Sequence, residues 1–196
     1  MYRVNEIFYS LQGEGRHTGR AAVFVRFSGC NLRCPFCDTD FSAYQQMSVT
    51  DIVTAVSQWQ TCGFVVLTGG EPSLQVDDAL VEALHQAGFY VAVETNGTHV
   101  LPAALDWVVW SPKDGFASHV PPLALEHVDE VKVVFDGELD PERYVSMAPH
   151  AWLCLQPCDT GDAQRNSRIV AQCVNYIKSH PHWRLSLQTH KLINIP

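Results

Sequence analysis

Seven short apolar runs, spread along the chain, do most to limit what it can fold into. They are Ala21–Phe27, Phe64–Leu67, Phe89–Glu94, Asp106–Trp110, Val131–Phe135, Trp152–Gln156 and Trp183–Leu187. Val, Phe and Trp dominate them, and several are continuous rather than alternating. That pattern belongs to strands buried on both faces of a parallel sheet. Amphipathic segments lie between the runs. Ser48 to Trp59 opens with Ser48 and Asp51 in capping-box spacing, and Ile52, Val53, Val56 and Trp59 form its apolar face. Val76–Ala87 stops at Gly88, and Asp162–Ser179 sets Ile169, Val170, Cys173 and Ile177 at helical spacing. Between Pro112 and Asp129, Pro121-Pro122 excludes a regular helix.

Strand–helix alternation predicts an α/β fold with right-handed crossovers. A closed eight-stranded barrel takes about 250 residues. The 196 residues here leave room for roughly six or seven mostly parallel strands. The expectation is an incomplete, TIM-like β/α barrel formed by residues 1–196 as a single domain. Polar motifs follow the apolar runs: Cys30–Cys37, Thr68–Pro72, Thr95–Thr98, Ser111–Lys113, Pro157–Asp159 and Gln188–Lys191. In such folds the carboxyl ends of the strands share one face, and that face carries the active site. Six separate motifs are thereby expected to converge on one cavity.

Composition narrows the partners. Thirteen Lys and Arg against 21 Asp and Glu give a net charge of −8, a poor match to nucleic acid, whose binding needs cations to displace counterions. No apolar run approaches the roughly 20 residues that span a bilayer. Asn5 and Glu6 interrupt the apolar residues at the start, which removes a signal-peptide core. The expected location is the cytosol, where cysteines serve as metal ligands, catalytic groups or buried thiols before they form disulfides.

Three of the seven cysteines are tightly spaced as C-x3-C-x2-C: Cys30, Cys34 and Cys37. Three thiolates within eight residues can grip one metal centre. Structural zinc usually takes four protein ligands, and the nearest histidines are His17 upstream and His85 downstream. A cubane held by three cysteines instead leaves one iron open to a small molecule. On spacing alone, a zinc clip and three buried thiols remain open. Cys62, Cys154, Cys158 and Cys173 repeat no such spacing and read as packed thiols.

The cysteine spacing after the first apolar run resembles the signature of the radical S-adenosylmethionine superfamily. Thr68-Gly69-Gly70-Glu71-Pro72 resembles its GGEP element, whose backbone and Glu contact the methionine end of S-adenosylmethionine. The resemblance implies a [4Fe-4S] cluster on Cys30, Cys34 and Cys37. Its open iron takes S-adenosylmethionine, which is cleaved to a 5′-deoxyadenosyl radical. Within the superfamily, Glu6–Gly15, Phe24–Arg26, Cys37-Asp38-Thr39, Glu94–Thr98, Gln156–Asp159 and Gln188–Lys191 resemble the 7-carboxy-7-deazaguanine synthases over nearly the whole chain. Radical activases acting on a partner protein share the cysteine spacing, but the Gln188-Thr-His-Lys191 ending points to the synthases.

That family makes 7-carboxy-7-deazaguanine from 6-carboxy-5,6,7,8-tetrahydropterin with loss of ammonia, on the route to queuosine. The resemblance implies hydrogen abstraction from C6, ring contraction, return of the hydrogen and elimination of ammonia, with Mg2+ orienting the substrate carboxylate. It places Mg2+ on Thr39. It places the substrate against Leu11, Gln12, Gly13, Glu14, Arg26 and Thr95, and against the carboxylate of Pro196. It places S-adenosylmethionine against Gly69, Gly70, Glu71 and Gly97, then Ser111, Pro112 and Lys113, then Gln156, Pro157, Cys158 and Asp159. Arg26, a charge within an apolar run, must be paired by substrate or by an internal salt bridge. The resemblance also implies an electron-donor protein such as flavodoxin and a homodimer. His190, at the end of the last run, receives no role in proton transfer.

Overall fold

The structure is a computed structural model that describes residues 1–196 except Asp38, Phe41 and Ser118. Asp38, quoted above between Cys37 and Thr39, therefore lies outside the described residues. The strands are β1 (Tyr2–Leu11), β2 (Ala21–Phe27), β3 (Gln45–Met47), β4 (Phe64–Gly69), β5 (Tyr90–Thr95), β6 (Trp107–Trp110), β7 (Glu130–Phe135), β8 (Trp152–Pro157) and β9 (Arg184–Leu185). They form one sheet in the order β3-β1-β2-β4-β5-β6-β7-β8-β9. From β2 to β9 every neighbouring pair is parallel, so these strands all end on the same face.

The seven apolar runs are these parallel strands. Two further strands, β1 and β3, lengthen the sheet by antiparallel pairing. They escape a reading based on apolar runs because β1 alternates buried and exposed positions and β3 is the three residues Gln45-Gln46-Met47. The last run is longer than its strand: only Arg184–Leu185 pairs with β8.

Three α-helices cross over the sheet: α1 (Val49–Val56), α2 (Asp78–Gln86) and α3 (Ala163–Ser179). Each begins at a side-chain cap. Ser48 and Asp51 form the full reciprocal box on α1, while Asp77 and Asp162 cap α2 and α3. Such caps each contribute about 1 kcal/mol by satisfying N–H groups that the first turn leaves unpaired. Ile52 and Val56 of α1 and Leu80, Val81 and Leu84 of α2 are buried in one core with β2, β4 and β5. Ile169 and Cys173 of α3 join a second core with β7, β8, Tyr144 and Trp183. Val170, placed on the same face by spacing, is instead exposed. The alternation is incomplete, since β5 runs to β6, β6 to β7 and β7 to β8 without an α-helix among the described residues. A short helix α4 (Thr189–Ile193) follows β9.

Candidate active site

The turn after β4 fixes where the cysteine loop begins. Gly70 donates its N–H to Phe27 O at 3.0 Å, and Glu71 donates to Gly29 O at 2.8 Å. This approach demands glycine: a Cβ on Gly69 would lie 2.2 Å from Phe27 O, and one on Gly70 2.0 Å from Gly29 O. Gly69 also has φ +127, a conformation that residues with a Cβ rarely adopt. The glycines therefore let the strand end meet backbone, and that contact sets Cys30 beside the turn. Gly70→Ala should push the cysteine loop away and destabilise the protein by about 2–4 kcal/mol, the range for severe backbone conflicts. Thermal melting and iron retention would measure it.

Glu71 is buried, and its carboxylate is fully engaged. It accepts from Thr95 Oγ1 at 2.6 Å, Asn96 N at 2.7 Å and Ser73 N at 3.0 Å. These bonds tie the end of β4 to the end of β5. Charge-assisted bonds of this kind rigidify a site. Thr95 Oγ1 in turn accepts from Gly97 N at 3.1 Å.

Above these strand ends lies a cavity of about 430 Å³, within the range of small-molecule sites. Cys30, Cys34 and Cys37 line it from one loop, together with Gly69, Gly70 and Glu71. Thr95, Ser111 and Lys113 contribute from β5 and beyond β6, and Gln156, Pro157, Cys158 and Asp159 from the end of β8. Burial raises the Cys30 and Cys34 thiols, while the Lys113 ammonium pulls Cys34 the other way. Such thiols are held deprotonated once a metal binds. Among the described residues no three His, Cys, Asp or Glu side chains converge on a single metal ion. The three thiols line one wall of a cavity with room beside them. That arrangement fits a multi-iron cluster with a ligand next to it.

A second cavity of about 350 Å³ adjoins the first. Leu11, Gln12, Gly13, Arg26 and Pro196 line it. Glu14, Thr39, Thr68, Glu94, Lys132 and Gln188 line both cavities and form their common wall. Arg26 meets both alternatives posed for it: it lines the second cavity, and its Nε donates to Glu6 Oε1 at 2.7 Å. Gly13 O accepts from the N–H and hydroxyl of Thr189, and Ser10 Oγ donates to Pro196 O at 2.6 Å. The chain's two ends thereby close one side of this cavity. His190 also lines it.

Most of the residues singled out in the sequence thus come together, with three differences. Thr95, expected against substrate, lines the thiol-lined cavity. Gly97 and Pro112 line neither cavity. Gly97 packs instead against Trp110 and Leu123.

The common wall holds what the sequence reading missed. Lys132 Nζ donates to Glu14 Oε2 at 2.5 Å and to Glu94 Oε2 at 2.6 Å. Gln188 Nε2 donates to Glu14 Oε1 at 2.9 Å, and Gln12 Nε2 to Glu94 Oε1 at 3.1 Å. Burial raises the Glu14 carboxyl, but Lys132, Gln188 and His190 outweigh it and hold it down at about 2. Burial also raises Glu94; Lys132 opposes this, the charges of Glu14 and Glu130 reinforce it, and the carboxyl stands at about 7. Burial lowers the Lys132 ammonium, yet the three carboxylates win and move it upward. The signal was present, because Lys132 interrupts an apolar run just as Arg26 does.

The sequence signature of the radical SAM superfamily matches residues 24–108. The fold and the thiol-lined cavity at its strand ends are those of a radical SAM enzyme. Two curated proteins called 7-carboxy-7-deazaguanine synthase are close relatives. That of Bacteroides thetaiotaomicron is 51% identical over 100% of this chain and 99% of its own length. That of Bradyrhizobium diazoefficiens is 44% identical over 99% of each. The crystal structure of QueE from Escherichia coli superposes with a TM-score of 0.80 at 28% identity, over 95% of this chain and 93% of that one. The chain belongs to the 7-carboxy-7-deazaguanine synthase family.

Proposed function

We propose that the chain converts 6-carboxy-5,6,7,8-tetrahydropterin into 7-carboxy-7-deazaguanine with loss of ammonia. One observation carries this reading: a thiol-lined cavity and a polar cavity share a wall, so a radical source and a small polar substrate can meet. When bound, the [4Fe-4S] cluster and S-adenosylmethionine supply the hydrogen-abstracting radical. Cys30, Cys34 and Cys37 would hold the cluster. Gly69, Gly70, Ser111, Lys113 and Gln156–Asp159 would surround the cofactor, with Glu71 and Gly97 shaping that pocket from behind. In the second cavity Arg26 would face the substrate carboxylate, an acceptor suited to its paired N–H groups. Gln12, Gly13 and Glu14 would meet the amide edge of the pterin, with Leu11 and the Pro196 carboxylate also against the substrate.

Thr39 lines both cavities and would give Mg2+ one hydroxyl ligand. Substrate and water can complete the octahedron, since Mg2+ keeps several non-protein ligands. Anaerobic turnover of the pterin with S-adenosylmethionine, a reductant and Mg2+ tests the reading. Formation of 7-carboxy-7-deazaguanine is expected, and its absence would overturn the assignment. In the same assay Thr39→Ala should lose most of the stimulation by Mg2+; an unchanged Mg2+ response would remove Thr39 from the metal site.

The whole chain acts as one domain in this reading, because the strand ends of a single sheet lie beneath both cavities. Cys37 is exposed, which supports electron entry from a docked donor protein such as flavodoxin. All seven cysteines are free thiols, as suits the reducing cytosol. Leu192 and Ile193 are 71% and 58% exposed, and their cover in a homodimer would show as a doubled mass in solution.

A further inference from the structure

The loop that carries the three thiols is tied to the end of β5 by side chains that the assigned roles do not use. Asn31, next to Cys30, donates from Nδ2 to Thr98 Oγ1 at 2.9 Å. Thr98 Oγ1 donates to Asn96 Oδ1 at 2.7 Å, and Asn96 Nδ2 donates to Asn31 Oδ1 at 3.0 Å. The three bonds close a ring in which every group gives to the next in the same sense. Bonds chained in this way polarise and rigidify one another. His99 Nδ1, 3.0 Å from the Thr98 hydroxyl, completes the partners of that oxygen.

Asn31 stands at the surface, but Asn96 and Thr98 are buried, and the frame behind them is fixed. Thr98 N donates to Asn96 Oδ1 at 3.0 Å, Asn96 N to Glu71 Oε2 at 2.7 Å, and Trp110 Nε1 to Asn96 O at 3.2 Å. Cys30 therefore lies between two pinned residues, with Gly29 held by the Glu71 N–H and Asn31 held by the ring. Leu32, the next residue, is buried, and its N–H donates to Cys30 Sγ at 3.4 Å. Fixing the Asn31 side chain fixes the peptide that aims this N–H at the sulfur. Hydrogen bonds to the cysteine sulfurs of a cluster favour its reduced, more negative state and so raise its potential.

We propose that the Asn31–Thr98–Asn96 ring sets the reduction potential of the cluster by holding the Leu32 N–H on the sulfur of Cys30. This rests on the placement of the cluster on Cys30, Cys34 and Cys37 proposed above. Asn31 and Thr98 are positioning residues, since they act through the Leu32 peptide. The couple is a single electron taken from an external reductant, and no bond of the protein forms or breaks.

The test is a redox titration of wild type, Asn31→Ala, Thr98→Val and Thr98→Ser holoproteins without S-adenosylmethionine. Dithionite and mediator dyes set the potential, and electron paramagnetic resonance reads the reduced cluster. Valine keeps the branched shape but removes the hydroxyl that passes the bond on, whereas serine keeps the hydroxyl. At a fixed potential the ratio of reduced to oxidised cluster should fall about tenfold in Asn31→Ala and in Thr98→Val, the low end of what lost supporting bonds cost at a metal site. For a one-electron couple that is a shift of about 59 mV to more negative potential. Thr98→Ser should titrate with wild type. A wild-type potential in either Asn31→Ala or Thr98→Val would overturn the proposal, whatever their melting temperatures. So would loss of iron from Thr98→Val, since that marks a residue that retains the cluster rather than tunes it. If Asn31→Ala does not hold iron, the two Thr98 variants decide. A wild-type protein without an iron–sulfur cluster, or a Cys30→Ser protein that keeps one, would overturn the placement of the cluster instead.

Discussion

Replacing Cys30, Cys34 or Cys37 with serine, one at a time, should yield folded protein with little iron and no product. The three thiols line one cavity from a single loop, and a cluster with two protein ligands left cannot be held. The loss should be essentially complete at each position. The same change at Cys62 or Cys173 should leave the iron in place, because both are buried in the cores away from the cavity. Cys62 donates to Phe64 O at 3.3 Å and Cys173 to Leu155 O at 3.8 Å, so their loss is felt as modest destabilisation. Iron content and visible absorption after anaerobic purification check this, with about four irons per chain in wild type. A Cys34→Ser protein that kept a full cluster would contradict the assignment.

Lys132→Met should be the most destabilising single change in the site. It removes the cation that Glu14 and Glu94 share and leaves carboxylates buried without a partner. Breaking a buried ion pair in this way costs about 3–5 kcal/mol. For a chain of this size that is a fall of roughly 10 °C in melting temperature. The cost depends on pH in a definite direction. Glu14 is held at about 2 against an ordinary value of 4.5. Its pairing therefore contributes stability that is present above 4.5 and lost only as pH falls through about 2. Without Lys132 that contribution goes, while protonated carboxyls need no cation. The gap between wild type and variant should be wider at pH 8 than at pH 5, as anaerobic thermal melts of the two holoenzymes will show. A gap that stayed constant across that range would mean that Lys132 acts through packing rather than charge.

Legibility differed between elements for physical reasons. The parallel strands could be read because burial on both faces demands unbroken apolar side chains, as in Val131–Phe135, where Lys132 is the one interruption. The cap of α1 could be read because capping chemistry is local. β1 was less visible because a partly exposed strand carries Asn5 and Glu6 without loss. The role of Gly69 and Gly70 was legible only in part. Their need for close approach followed from the residue type, but the surface approached is the backbone of Phe27 and Gly29.

By itself the sequence determined the α/β class, the order of the strands that carry the site, and the three thiols of the cysteine loop. Each depends on residue type at short spacing, which the chain records directly. The tertiary structure alone decided that Thr95 serves Glu71, that Gly97 packs on Trp110, and that Glu14, Glu94 and Lys132 form one charged wall. Those three residues are 80 and 38 positions apart in turn. Their ionisation follows from mutual distance and burial, and neither exists until the sheet has brought the ends of its strands together.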